Sequence, residues 1–231
     1  AICDMVLAEN ASRSSNEKKL YVMYDQMYWH LTYDQVQHYN PVSLRPAMKE
    51  YTIFIDAISK VFASTGVRVG WSMGPSSVLS KMKAILTHVG AWAPMAEQKA
   101  VASFLAQKEN IDTYLRQFKL AIQERLQLIY TGLQDLKNEG FPVDAIAPQG
   151  AIYLTVQFDL AGKKSSEGII LANQEAVTAY LLNAAQLAVV PFYAFGADRR
   201  SPWYRLSVGT CRLEQIPEML QSLRNALKDL N

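Results

Sequence analysis

Apolar and polar residues follow each other along this chain in patterns that predict a mixed α/β fold. Short apolar or β-branched runs predict strands, and apolar residues at three- and four-residue steps predict amphipathic helices. The predicted strands are 20–24, 52–55, 67–73, 151–158, 187–190 and 203–208. The predicted helices are 2–9, 172–185, 213–230 and a mostly helical stretch over 76–136 that is broken near 90–94.

The second half of the chain differs in character from the first. Residues 111–136 place apolar side chains on one helical face, over a length that commonly joins two domains. Beyond Gly140, short predicted strands and helices follow one another, as in a small α+β domain. We therefore predict an α/β chain of two domains, residues 1–110 and 111–231.

Composition and charge narrow the range of functions. Half of the 231 residues are apolar, and 23 basic and 21 acidic side chains are spread evenly, so no basic stripe predicts nucleic-acid binding. No apolar run is long enough to predict a membrane span. Two cysteines and three histidines without ligand spacing predict neither a disulfide framework nor a metal site. No signal peptide is visible, and we expect a cytoplasmic protein.

Lys60 is the first candidate for chemistry, because it follows Ser59 at a predicted strand-to-loop turn and precedes Arg68. A lysine whose pKa is lowered by burial or nearby positive charge can attack a carbonyl as the free amine. The Ser59 hydroxyl and the Arg68 guanidinium are groups that bind phosphate. Taken alone, a lysine near an arginine is more often a solvated surface pair.

Asp25 and Tyr28 are the second candidates, directly after a predicted buried strand. A carboxylate at the C-terminal edge of a strand faces the crevice in which open α/β sheets bind ligands. It could keep a heterocyclic nitrogen protonated, while Tyr28 supplies a phenol. Alone, this segment is more typical of a turn-forming aspartate beside a half-buried tyrosine.

Together, Asp25-x-x-Tyr28 and the later run from Ser59-Lys60 through Thr65-Gly66-x-Arg68-x-Gly70 closely resemble the fold-type-I, class I/II aminotransferase family. Further matches follow in the same order, at Gly150-Ala151-Ile152-Tyr153, at Ala188-Val189-Val190-Pro191 with Phe195-Gly196, and at Tyr204-Arg205-Leu206-Ser207. The resemblance covers nearly the whole chain. It implies the C-terminal part of the large domain of a pyridoxal-phosphate-dependent transferase, followed by a small α+β domain.

The resemblance also implies a role for each matching residue. Lys60 would hold pyridoxal 5′-phosphate as a Schiff base and then move the proton between the substrate and the cofactor. Asp25 would pair with the ring nitrogen, and Tyr28 would hydrogen-bond the ring oxygen. Ser59 and Arg68 would hold the phosphate. Arg205 would bind the α-carboxylate of the substrate.

The chain departs from the family pattern in several ways. Ala57 stands where many relatives carry Ser or Thr, which removes one phosphate contact, and Phe192 stands where a glycine is usual. The family's Gly-rich phosphate loop, ring-stacking aromatic residue and Asn-Pro-x-Gly segment all precede the Asp-x-x-Tyr strand. None of them is present in the 24 residues before Asp25. We infer an N-terminally truncated chain and expect it to be inactive by itself.

The resemblance implies an enzyme that moves an amino group from an amino acid to a 2-oxo acid, and a homodimer for the full-length protein. Two alternatives stay open. Carbon–sulfur and other β-elimination lyases share the same lysine, aspartate and arginine, because the cofactor performs the difficult chemistry. Aminotransferase-like domains also serve as ligand-sensing modules of transcriptional regulators, without enzymatic activity.

Overall fold

A computed structural model describes residues 1–231, which divide into two compact units, Ala1–Arg116 and Gln117–Asn231. The division falls inside the longest helix, α5 (Lys108–Asn138). The sequence places the boundary a little earlier on the same helix, after residue 110, and the assignment of a domain to each side stays a prediction.

The first unit contains a three-stranded sheet in the order β1-β2-β3, formed by β1 (Val22–Asp25), β2 (Thr52–Ala57) and β3 (Gly70–Met73). Strand β1 runs parallel to β2, and β3 runs antiparallel to it. The central strand is the most buried of the three, as its β-branched and apolar sequence predicts. Because β1 and β2 are parallel, their C-terminal ends lie at the same edge of the sheet.

The helices of the first unit are α1 (Ile2–Ser12), α2 (Pro41–Leu44), α3 (Ser76–Val89) and α4 (Met95–Leu105), with a 3₁₀ turn at Pro46–Glu50. The buried side chain of Asn10 ties α1 to the start of the sheet. Its amide nitrogen donates to the carbonyl of Leu20 at 2.8 Å, and its oxygen accepts from the Leu20 backbone N–H at 2.7 Å. Both polar groups of a buried amide are thereby satisfied.

The second unit packs helices against an antiparallel sheet in the order β4-β5-β7-β6. Its elements after α5 are β4 (Val143–Ala145), β5 (Tyr153–Phe158), α6 (Gln174–Ala185), β6 (Val190–Pro191), β7 (Trp203–Ser207) and α7 (Ile216–Lys228). Every second residue of β5 is buried, as expected for a strand with one face on the core. Helix α5 contributes a stripe of fully or nearly fully buried residues at helical spacing, namely Ile122, Leu126, Ile129, Leu133 and Leu136.

Helices α6 and α7 are joined by a buried tyrosine. The hydroxyl of Tyr180 on α6 donates to the backbone carbonyl of Ala226 at 2.7 Å and lies 3.2 Å from a carboxylate oxygen of Asp229. Burial, with a smaller contribution from the negative charge of Asp229, raises the pKa of Tyr180 to about 12. The phenol therefore stays protonated, and the tether intact, over the whole ordinary pH range.

We expect Tyr180→Phe to lower the free energy of unfolding by about 1 kcal/mol at pH 8, because one buried hydrogen bond is lost. The folded-state pKa lies above the value of about 10 for an unfolded tyrosine. The contribution of the hydroxyl is therefore complete below pH 10 and is lost as the pH rises towards 12. Urea unfolding of both proteins should show their difference shrinking between pH 8 and pH 11.5. A difference independent of pH would contradict the assignment.

Most of the predicted elements are confirmed, and several differ in their bounds. The strand predicted over 67–73 begins only at Gly70, because Arg68 adopts a left-handed backbone with φ +59°. The strand predicted over 187–190 is reduced to Val190–Pro191. The helical stretch over 76–136 is broken twice, since a second break at 106–107 separates α4 from α5. The α/β fold class is confirmed.

Candidate active site

The Asp25 and Lys60 segments lie at one edge of the first sheet. Asp25 is the last residue of β1 and stands opposite Ile55 of β2. The pairing continues one residue further, where the backbone N–H of Gln26 donates to the carbonyl of Ile55 at 3.0 Å. Ser59 and Lys60 follow β2 at the same edge. Two segments that are 34 residues apart in sequence are thus held together by a parallel ladder.

The loop after β2 is fixed by an apolar cluster beneath it. Ile58 and Val69, at the two ends of the loop, are buried together with Val101 of α4. The backbone N–H of Ile58 donates to the carbonyl of Val69 at 3.2 Å, which closes the base of the loop. Phe62, within the loop, packs edge-on against Phe104 with ring centroids 5.3 Å apart. These anchors hold the backbone around Ser59 and Lys60 in one conformation.

A cleft of about 370 Å³ opens at this edge. Ser59, whose side chain is buried, and the exposed Arg68 both line it. The other lining residues are Met27, Ile55, Asp56, Ala57, Val69, Gly70, Trp71, Ser72 and Met82. Hydroxyl and guanidinium groups are donors suited to an anion such as phosphate. Ala57 lines the cleft with a methyl group in place of a further hydroxyl.

The other predicted site residues of this unit, Asp25, Tyr28 and Lys60, lie one or two residues in sequence from a residue that lines the cleft. Asp25 is exposed, and its carboxylate accepts a hydrogen bond from the backbone N–H of Met27 at 3.1 Å. Tyr28 is half-buried in the turn that follows, and its carbonyl accepts from the N–H of Leu31 at 2.8 Å. Lys60 is half-buried next to Ser59. The sequence prediction placed all of these residues in one site.

Arg68 holds an uncommon backbone conformation for a residue with a side chain. Its φ is +59°, and its Nη1 donates to the carbonyl of Thr65 at 2.8 Å, inside the same loop. A non-glycine residue in the left-handed region costs about 1 kcal/mol or more. The fold accepts this cost at a residue that lines the cleft.

We expect Arg68→Gly to separate stability from anion binding. Glycine adopts the left-handed conformation without strain, so the free energy of unfolding should stay constant or rise by up to about 1 kcal/mol. Loss of the guanidinium should weaken the binding of pyridoxal phosphate about tenfold or more. Urea unfolding and a fluorescence titration measure the two effects. Unchanged affinity would show that Arg68 does not contact the phosphate.

Arg205 belongs to the second unit, on β7, where it pairs with Thr155 of β5 and Val190 of β6. The central carbon of its guanidinium lies 4.5 Å from the ring centroid of Tyr153 and 4.6 Å from that of Phe195. Contacts of this kind stabilise a cation and restrict its rotation. The N–H donors at the edge of the guanidinium suit a carboxylate, which they can bind in a bidentate manner.

Three residues that the sequence prediction did not include also belong to this region. The carboxylate of Asp56, on β2, is buried and lines the cleft. It accepts hydrogen bonds from the side chains of Gln26 and Trp29. The signal in the sequence was a carboxylate inside an otherwise apolar strand, since such a group needs buried partners.

The chemical groups of the region fit pyridoxal 5′-phosphate. The cofactor needs an amine for its aldehyde, donors for its phosphate and an acid for its ring nitrogen. Lys60, Ser59, Arg68 and Asp25 offer these groups along one sheet edge. No cluster of three or more His, Cys, Asp or Glu side chains could hold a metal ion. No helix of the structure has both the length and the apolar character needed to cross a membrane.

Comparison with known proteins gives a consistent result. The family model for aminotransferase class I and II matches residues 9–223. An aspartate aminotransferase of Rhizobium meliloti is 28% identical over 213 residues, which are 92% of this chain and 49% of that protein. An aspartate aminotransferase of Pinus pinaster is 32% identical over 231 aligned residues, which cover 96% of this chain and 45% of that protein.

Solved structures show the same similarity in three dimensions. The aspartate aminotransferase of Rhizobium meliloti superposes with a TM-score of 0.81 at 28% identity and covers 92% of this chain and 51% of its own. An aromatic aminotransferase from Pyrococcus horikoshii also gives a TM-score of 0.81, at 26% identity, over 98% of this chain and 54% of its own. The chain spans about half the length of the relatives it matches.

Proposed function

This chain belongs to the class I and II aminotransferase family, and from that premise we propose that it serves the transfer of an amino group from an amino acid to a 2-oxo acid. Aminotransferases of this family depend on pyridoxal 5′-phosphate. We propose Lys60 as the residue that carries the cofactor. The relatives are named for different substrates, namely aspartate, aspartate or prephenate, and aromatic substrates. The proposal therefore specifies only an amino acid and a 2-oxo acid as substrates.

The observation that carries the proposal is the parallel pairing of β1 and β2. It brings the Asp25–Tyr28 turn and the Ser59–Lys60 turn to one edge of one sheet, beside a cleft lined by Ser59 and Arg68. The segments that carry the Lys60 amine, a phosphate-binding pair and a carboxylate for a ring nitrogen therefore end at the same edge of the sheet. This combination supports a pyridoxal-phosphate site over a general anion site, which would need neither the amine nor the carboxylate.

When bound, pyridoxal phosphate supplies an electron sink for the pair of electrons left when a substrate proton departs. In our proposal Lys60 would hold the cofactor through its Nζ atom, and once the amino group of the substrate had displaced it, the freed Nζ would accept and return that proton. Asp25 keeps the ring nitrogen protonated, and Tyr28 donates a hydrogen bond to the ring oxygen. Ser59 and Arg68 bind the phosphate, and Arg205 binds the α-carboxylate of the substrate.

We propose that the complete protein is a homodimer, as the family resemblance implies. We also propose that these 231 residues supply only part of the catalytic machinery. The support is their coverage of about half of each relative. Cofactor attachment is therefore a better first test of this chain than amino-group transfer.

The test is covalent trapping of the cofactor. The chain is incubated with pyridoxal phosphate, reduced with borohydride and digested, and the modified lysine is located by mass spectrometry. The proposal expects the modification on Lys60 at low cofactor concentration, with competition by inorganic phosphate. Labelling that scatters over the exposed lysines Lys49, Lys81 and Lys83 would contradict a built site in this chain.

A further inference from the structure

Asp56 is a buried carboxylate with hydrogen-bond partners in the structure, but the proposed function assigns it no role. It lies on β2, only 6% exposed, three residues before Ser59. Burying a carboxylate is costly unless hydrogen-bond donors replace its water shell. An apolar residue at this position of the strand would often give equal or greater stability. The presence of a buried carboxylate here therefore indicates a role other than stability.

The donors to Asp56 come from the neighbouring turn. Its Oδ2 accepts from the indole Nε1 of Trp29 at 3.0 Å and from the amide Nε2 of Gln26 at 3.3 Å. Its Oδ1 accepts from the backbone N–H of Ala57 at 2.8 Å. These three donors are neutral, and two of them belong to the segment that follows Asp25.

Gln26 and Trp29 are the two ends of one tight turn, because the backbone N–H of Trp29 donates to the carbonyl of Gln26 at 3.0 Å. One carboxylate oxygen therefore holds both ends of this turn. Tyr28 lies inside it. The same carboxylate belongs to β2, whose chain continues through Ala57 to Lys60. Asp56 thus connects the segment that carries the phenol with the segment that carries the amine.

We propose that Asp56 is a positioning residue that holds the Gln26–Trp29 turn against β2 and thereby fixes the Tyr28 phenol relative to Lys60. The assignment rests on the proposed function, which gives Tyr28 and Lys60 their roles. Asp56 itself does not contact the reacting atoms in this proposal. Its effect passes through Gln26, Trp29 and the backbone of the turn.

Asp56→Asn is the informative substitution, because it keeps the size of the side chain and removes one acceptor. A single amide oxygen cannot serve both the Ala57 N–H and the pair of donors on the turn, so one set loses its partner. If the proposal holds, the turn loosens while the sheet stays formed. A carboxylate that served only the stability of the strand would leave the turn and Tyr28 unaffected once the protein is folded.

The first readout needs no cofactor. Amide hydrogen exchange of the chain measures the protection of the Trp29 and Leu31 N–H groups, which donate to the Gln26 and Tyr28 carbonyls of the turn. We expect Asp56→Asn to speed their exchange about tenfold or more, in line with the loss of a hydrogen bond to a charged group. Exchange in β5 should stay constant. Unchanged exchange at Leu31 and residue 29 in both Asp56→Asn and Trp29→Phe would overturn the proposal.

The second readout is a double-mutant cycle on the affinity for pyridoxal phosphate, measured by fluorescence titration. Asp56→Asn and Tyr28→Phe should each weaken binding, and the double variant should be weaker than Tyr28→Phe by no more than about twofold. Fully additive losses would overturn the coupling between the two residues. A parent chain that fails to bind the cofactor contradicts the proposed function instead, and the exchange measurement then decides on Asp56.

Two further variants serve as an independent test and as a control. Trp29→Phe removes one donor from the same oxygen with a small change of shape, and it should reproduce the exchange effect if Asp56→Asn fails to fold. Asp112→Asn is the matched control, since Asp112 is an exposed aspartate of α5 paired with Lys108 at 2.7 Å. It should change neither readout, and a similar effect from Asp112→Asn would refute a role specific to Asp56.

Discussion

Lys60→Ala is expected to abolish the borohydride-stable attachment of pyridoxal phosphate at the cleft. Attachment through the aldehyde requires a primary amine, and Lys60 supplies the only one between Lys49 and Lys81. Ser59 and Arg68 remain in the variant, so the phosphate should still bind, although only reversibly. Mass spectrometry after reduction should show loss of the specific label, and dialysis should remove the cofactor that the parent chain retains.

The control for this experiment is Lys49→Ala. Lys49 is exposed in the 3₁₀ turn that precedes β2, at the opposite end of the strand from Lys60. Its loss should leave the specific label unchanged. Both variants should unfold within about 1 kcal/mol of the parent chain, because neither residue fills the core. Retention of the full label in Lys60→Ala would refute Lys60 as the cofactor residue.

The elements of the fold could be predicted from the sequence wherever the periodicity of apolar residues alone determines the structure. The apolar stripe predicted on α5 and the strand predicted over 151–158 each have one periodicity and one buried face, and the structure confirms the stripe and a strand at Tyr153–Phe158. The apolar periodicity gave a wrong strand boundary where the backbone conformation of a single residue ends the strand. Val67 and Val69 are typical strand residues, yet Arg68 between them is left-handed, and the residues before Gly70 form a loop. Periodicity carries no information about φ.

The candidate site was predicted from the sequence in part. Asp25, Ser59, Lys60 and Arg68 were candidates because they follow predicted strands and carry the carboxylate, hydroxyl, amine and guanidinium groups that such a site needs. The pairing that holds the first of these beside the others depends on strand order, which a single sequence does not contain. The contacts of Asp56 depend on register as well, since they join residues 27 and 30 positions apart. Such support around a site becomes visible only in three dimensions.

Phe158→Ala is expected to be the most destabilising of the substitutions considered. Phe158 ends β5 with no exposed surface and packs edge-on against Tyr204 of β7, with ring centroids 5.7 Å apart. Removal of a fully buried phenyl ring costs about 3–5 kcal/mol, through lost burial and the cavity left behind. A domain of this size is commonly stable by only about 5–15 kcal/mol. The second unit should therefore lose a large share of its stability.

The consequence extends to Arg205, because Tyr204 precedes it on β7 and both pair across the sheet with β5. Chemical denaturation followed by near-ultraviolet circular dichroism should show the transition of the second unit at much lower urea concentration. Leu182→Ala is the matched control, since Leu182 is 52% exposed on α6 and its loss should cost about 0.5 kcal/mol or less. Equal effects of the two substitutions would mean that Phe158 is not a core residue of this unit. If Phe158→Ala lowers the stability of the second unit but leaves labelling at Lys60 intact, the cofactor segment folds independently of the strand that carries Arg205.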